Sequence, residues 1–247
     1  MYHLLWKKRD FVKRWVVVFY FLCALIPATA QFRGELNLPD NDDKRYHIGI
    51  VIMAATSRFQ VSQHSRFLES DSVLVSSPEN AAGVGLGGMH TFKLSERFSA
   101  RIVFPQLLFT NKSIRYNLTY PTSGESKEMV KNVESILLGV PIQVKFQSDR
   151  IGNFRVYMMG GVKWEYDLSS KAAARNAEDL IKLRSSDFGI EAGIGFNFYM
   201  PFFILSPEIK ISNGLSDSHS RDTNLKFSNV IDRLNSRMIV FSLIFEG

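Results

Sequence analysis

The chain holds a single cysteine, Cys23, and it lies within the first 30 residues. Cleavage after residue 30 would leave no thiol, which excludes disulfides and thiol catalysis from the remainder. No stretch beyond residue 27 approaches the ~20 apolar residues that a helix needs to cross a bilayer. A membrane-spanning body would therefore have to be made of strands. No histidines stand at i,i+2 or i,i+4, so a zinc motif is lacking. Asp40-Asn41-Asp42-Asp43 begins like a calcium loop, but the sixth position is Arg45 rather than Gly and the twelfth is Val51 rather than Glu.

The N-terminus has the three parts of a secretory signal. Lys7, Lys8, Arg9, Lys13 and Arg14 are followed by an apolar run at 15–27 and then by Ala28-Thr29-Ala30, a small-x-small cleavage site. Residues 1–30 are therefore expected to be a cleaved signal, with Gln31 as the new N-terminus. Cys23 follows the bulky Phe21-Leu22, which does not match a lipidation signal. The chain carries 30 basic and 24 acidic residues. Removing the signal takes away five basic residues and Asp10, so the net charge falls from +6 to +2. The high isoelectric point belongs largely to the signal, and no basic surplus is left to bind nucleic acid.

From Tyr46 onward, apolar and polar residues alternate with a period of two. In 187–198, Phe188, Ile190, Ala192, Ile194, Phe196 and Phe198 share one face, and Asp187, Gly189, Glu191, Gly193, Gly195 and Asn197 share the other. Eight such runs are predicted, at 46–58, 82–94, 97–110, 133–146, 154–168, 187–200, 203–214 and 236–246. Each is long enough for a tilted strand to cross a bilayer. The connections alternate long and short, at 23, 2, 22, 7, 18, 2 and 21 residues. The expected fold is an all-β, eight-stranded antiparallel transmembrane barrel over 46–247. Its long loops would be extracellular, its short turns and both termini periplasmic, and residues 31–45 a periplasmic N-terminal segment. Pro105, Pro141 and Pro207 interrupt runs and predict bulges.

The face bearing glycine and charge suits the narrow interior of a small barrel, and the bulky apolar face suits lipid. Periodicity alone does not fix inside and outside, so a soluble lipocalin-like barrel is the alternative. On the membrane reading, Arg101, Lys145, Arg155, Lys163, Glu165, Asp167, Glu191, Glu208 and Lys210 meet in the lumen, with Arg237 a further candidate. Eight strands leave no water channel, so these charges are expected to pair into a plug rather than line a conduction path.

No catalytic constellation emerges. Asp217-Ser218-His219-Ser220-Arg221-Asp222 contains an acid and a histidine, but neighbours in sequence on a loop do not make a positioned site. His64 has no acid closer than Glu69. No enzyme activity, cofactor, metal or small-molecule substrate is expected. Two long loops carry apolar groups that would otherwise be wet: Leu180 and Ile181 at 169–186, and Ile231 and Leu234 at 213–235. These are candidate partner contacts or self-packing lids.

Several segments, taken in order, resemble the PorT (SprT) outer-membrane proteins of the type IX secretion system, within the broader outer membrane β-barrel / porin group. They are Tyr46-His47-Ile48-Gly49, the stretch from Glu134-Ser135 to Pro141, and Asn153-Phe154-Arg155-Val156-Tyr157 with Gly160-Gly161. Ser186-Asp187-Phe188 through Phe198-Tyr199, Leu205-Ser206-Pro207-Glu208-Ile209-Lys210 and Ile231-Asp232-Arg233-Leu234 follow, with Ser236-Arg237-Met238 and Phe241-Ser242-Leu243 at the end. The resemblance implies a role in moving cargo proteins across the outer membrane. It implies contacts with outer-membrane lipid, other secretion proteins and the barrel-assembly machinery. The chain ends Phe245-Glu246-Gly247 rather than on the aromatic itself, a departure from many outer-membrane barrels. The alternative is a small porin or an adhesin-like barrel.

The signal reading is checked by mass spectrometry of membrane-purified protein. A mature N-terminus at Gln31 is the expected result, and an intact Met1 would refute it.

Overall fold

A computed structural model describes residues 35–63, 73–118, 127–169, 184–218 and 231–247. Its strands are β1 (Tyr46–Gln63), β2 (Val73–Glu79), β3 (Ala81–Lys93), β4 (Phe98–Leu118), β5 (Glu128–Gln147), β6 (Phe154–Asp167), β7 (Ser186–Tyr199), β8 (Ile204–Gly214) and β9 (Ile231–Glu246). The sheet runs β2-β4-β3-β1-β9-β8-β7-β6-β5, and a β4–β5 pairing closes it. All pairings are antiparallel. β2 and β3 occupy one position in the wall, both pairing with β4, so the closed barrel has eight strands.

Each predicted run is present as a strand. Several extend further than their apolar alternation. β4 continues to Leu118 and β5 begins at Glu128, paired to the end at Asn117↔Glu128. β5 meets β6 only from Leu137↔Asp167. One side of the wall thus rises nine residues above its neighbour, ~30 Å along the strand at 3.3 Å per residue. Apolar alternation fades there, where the sequence runs through Lys112, Arg115, Asn117 and Glu128, while backbone pairing needs no apolar contrast. Arg115 stitches this extension, donating from Nε to Glu79 at 2.7 Å and lying 3.7 Å from Glu128.

Of the three prolines, two account for one irregularity. The β4–β5 register shifts between Ile102 and Gln106, where Pro105 lies opposite the Pro141 region. The β3–β4 register shifts nearby, between Gly87 and Met89. The bulge predicted at Pro207 does not occur: its register with Leu243 is continuous.

The bulky apolar face points outward. Ile50, Val84, Ile142, Met158, Ile194 and Phe241 are all exposed, while the alternate positions are buried. Near the short turns an aromatic girdle encircles the barrel, with contacts Tyr46–Phe92 at 5.0 Å, Phe98–Phe146 at 5.1 Å, Phe154–Phe198 at 5.3 Å and Phe203–Phe245 at 5.9 Å. Such girdles mark a membrane interface. Among the described residues no helix is long and apolar enough to span a membrane; crossing belongs to the strands.

Ile194 pairs with Met158 and Ile209 in the middle of this outward face. Ile194→Arg is expected to cost about 2–4 kcal/mol of insertion free energy at the bilayer midplane. Loss of the heat-modifiable gel band would register this, and a wild-type band would mean that this face does not meet lipid.

Candidate functional site

Two-residue alternation turns nine predicted charges toward the interior, where the lumen narrows to side-chain dimensions. Arg101 of β4 is 1% exposed and donates from Nη1 to Glu208 Oε2 of β8 at 2.7 Å. Tyr157 of β6 donates its hydroxyl to the same oxygen at 2.9 Å. The Tyr157 ring lies between two cations, with the Arg101 guanidinium at 5.4 Å and Lys145 Nζ at 4.0 Å from its centroid. Gly195 on neighbouring β7 makes room for that ring, since a Cβ there would run into it. Further along the bore, Glu191 accepts a hydrogen bond from Gln143 Nε2 and lies 3.5 Å from Lys210 Nζ. Lys163 donates to Glu165 at 2.7 Å.

The nine are not one cluster. Arg101, Lys145, Glu208, Glu191 and Lys210 occupy the middle, and Lys163 with Glu165 lies toward the long-loop end. Asp167 sits at that rim and accepts from the backbone N–H and hydroxyl of Ser169 at 2.9 and 2.7 Å. Arg155 belongs to the opposite mouth. Arg237 does not enter the lumen at all. It falls in the outward series of β9, because Met238 and Ser236 take the inward positions.

Part of the interior is apolar. Val51, Met53 and Ala55 of β1, Met89 of β3, Val103 and Leu108 of β4, Leu137 of β5, and Met238, Val240 and Ile244 of β9 form one buried apolar cluster. Sequence reasoning missed this half-core. Its signal was available: β1 and β9 are apolar on both faces, unlike β7.

The mouth nearest the chain ends is closed by the N-terminal segment. Pro39–Asp42 form a single 3-10 turn, and Asn41 is buried. Asp42 is the hub, with Arg150 Nη1 and Arg155 Nη1 each 3.1 Å from its carboxylate. Tyr199 donates its hydroxyl to Asp42 at 3.1 Å, and Lys93 donates to the Asp42 carbonyl at 2.7 Å. The Arg150 guanidinium stacks over the Tyr199 ring at 3.6 Å. Asn37 binds Asn153 and the Tyr199 carbonyl at 2.9 and 2.8 Å. Behind this lid lies a polar cavity of about 30 Å³ lined by His47, Thr91, Lys145, Arg155 and Glu246. That is room for one or two waters. Asp42, read from the sequence only as part of a calcium-like loop, thus holds the lid instead.

At the other mouth, Leu234 was expected on a loop, as a partner contact or as part of a self-packing lid. It lies within β9 with no exposed surface. The correction follows from β9 starting at Ile231, which pairs with Gln63, so residues 231–235 are wall rather than loop. The short segment at 215–218 folds back over this wall. Leu234 N–H donates to Asp217 at 3.1 Å, and Ser218 N–H donates to the Leu234 carbonyl at 2.8 Å. Leu180 and Ile181 lie outside the described residues.

Glu208→Ala would leave the Arg101 guanidinium buried without its carboxylate. Breaking one partner of a buried pair costs about 3–5 kcal/mol. Urea unfolding of the refolded barrel should show that loss, with Lys210→Ala, whose ion pair is longer, losing less. Equal midpoints for Glu208→Ala and wild type would remove Arg101–Glu208 as the centre of the plug.

The Neisserial surface protein A structure is 10% identical, covers 80% of this chain and 96% of its own, and aligns with a TM-score of 0.39. The outer membrane protein OprG of Pseudomonas aeruginosa is 13% identical, with 81% and 95% covered and a TM-score of 0.37. The outer membrane protease OmpT of Escherichia coli is 8% identical, with 81% and 95% covered and a TM-score of 0.41. No curated protein matches the sequence. The family described as outer membrane protein beta-barrel domain matches residues 44–220, most of the closed wall just described. With its apolar exterior, girdle and filled bore, this chain belongs to the outer membrane protein β-barrel domain family and resides in the outer membrane.

Proposed function

We propose that this barrel is a non-conducting, non-enzymatic component of protein secretion across the outer membrane, of the PorT kind, working through partners that dock at its ends. The observation that carries the non-conducting part is the filled lumen. Arg101–Glu208 blocks the middle, the apolar half-core fills the other side, and the Asp42 lid covers one mouth. The secretion part rests on the sequence resemblance to the type IX proteins. On this reading the short-turn end with its lid faces the periplasm, and the barrel-assembly machinery inserts the chain through the alternating last strand, Ile239 to Phe245. Leu180 and Ile181 are proposed partner contacts on the long-loop side, with Ile231 at the wall's edge.

An adhesin-like role is the second reading, favoured by one feature. The β4–β5 pairing continues nine residues past the last β5–β6 pair and is stitched by Arg115, and such a blade is a surface that partners outside the cell can reach.

Two measurements test the proposal. In a planar bilayer the purified barrel is expected to give no steady open channel; sustained conductance would overturn the plug. Deletion is expected to abolish export of cargo bearing C-terminal signal domains. Undiminished export with lost surface attachment would establish the adhesin reading instead. Leu180→Ser with Ile181→Ser is expected to reduce export while heat-modifiability stays normal, and unchanged export would remove that loop from the mechanism.

A further inference from the structure

The outer surface changes character abruptly at one place. Across β8, β9, β1 and β3, one row of directly paired outward residues reads Ile211, Ile239, Thr56 and Ala82. The next row toward the long loops reads Asn213, Arg237 and Arg58. Arg58 and Arg237 are paired face to face across the β1–β9 seam. Both belong to outward series, since Ser57 and Met238 beside them are buried inward. Among the described residues, neither guanidinium has an ion pair or hydrogen bond. Like charges placed directly opposite destabilise a sheet, so this juxtaposition lacks an internal reason.

Its height matters. Arg237 stands eight residues above Phe245, which belongs to the aromatic girdle near the short turns. For strands tilted as in membrane barrels this is ~20 Å along the bilayer normal. The apolar band of such barrels is about 25 Å tall, so the arginines lie where the opposite headgroups begin. The same sector also lacks the usual anchors. Trp164, Tyr166, Phe188 and Phe109 mark the far interface on β6, β7 and β4, but among the described residues the β8–β9–β1–β3 sector has no outward-facing aromatic at that level. Two unpaired guanidiniums stand there instead.

We propose that Arg58 and Arg237 form a binding site for a phosphate group of a membrane lipid, held against the β1–β9 seam. A phosphate between them would accept forked hydrogen bonds from both guanidiniums and cancel their repulsion. Its acyl chains would run down the apolar row of Ile239 and Ile211. The site lies on the outer wall and is independent of the secretion reading.

The test is native mass spectrometry of the detergent-folded barrel with a diphosphorylated glycolipid and with its dephosphorylated form. The wild type is expected to retain the phosphorylated lipid selectively. Arg58→Gln with Arg237→Gln should weaken retention by about tenfold or more, and Arg58→Lys with Arg237→Lys should keep most of it. Heat-modifiability checks that each variant is folded, and if the glutamine pair fails to fold, the wild-type comparison of the two lipids decides alone. Equal retention of both lipids, or retention untouched by the glutamine pair, would overturn the proposal. Displacement by equimolar inorganic phosphate would also overturn it, because the site would then serve the free ion rather than a lipid.

Discussion

A guanidinium that is 1% exposed inside a bore one side chain wide has no water to turn to. The interior of this barrel is arranged around that constraint. Glu208 neutralises Arg101, Tyr157 shares the accepting oxygen, and Gly195 gives up its side chain so that the ring can lie there. Four strands contribute to this one contact, and none of them could shift by a residue without turning its partner outward. The pair therefore fixes register as well as filling space.

The opposite half of the lumen solves the same problem differently. Where β1, β3 and β9 come together in the middle of the bore, methionines and aliphatic residues face inward and the cluster they form holds no charge. Flexible Met53, Met89 and Met238 fill an irregular gap between straight walls. The result is a barrel with a polar side and an oily side within the same bore. Covering its near mouth takes a separate piece of chain, since the carboxylate that binds Arg150 and Arg155 comes from Asp42 and not from any strand.

The strands were legible because lipid imposes a strict contrast on every second residue. The same contrast gave the direction of Glu191, Lys145 and Glu208 correctly. It failed where the strands leave lipid and the outward face no longer has to be apolar. β9 above Asn235 and β4 above Thr110 leave the lipid band, so Leu234 read as a loop residue although it is sealed in the wall. Arg237 was misdirected because a charge in a strand was assumed to seek the lumen, whereas a long basic side chain near an interface can reach water from outside. The lid was invisible for another reason. The Asp42 carboxylate finds its partners more than a hundred residues away, and no local pattern encodes that distance.

The seam between β1 and β9 joins the two ends of the described barrel, pairing Gly49 with Glu246 and Gln63 with Ile231. Every other wall contact links strands much closer in the chain. Closure at this seam must therefore wait for the longest loop of all, and contacts of such sequence separation set the pace of folding. Until then β1 and β9 present unsatisfied backbone edges, and they are also the strands that are apolar on both faces. The chain is thus most vulnerable to clumping in the moments before its ends meet. The lid can settle only afterwards, since Arg150, Arg155 and Tyr199 come into reach of Asp42 only around a completed ring.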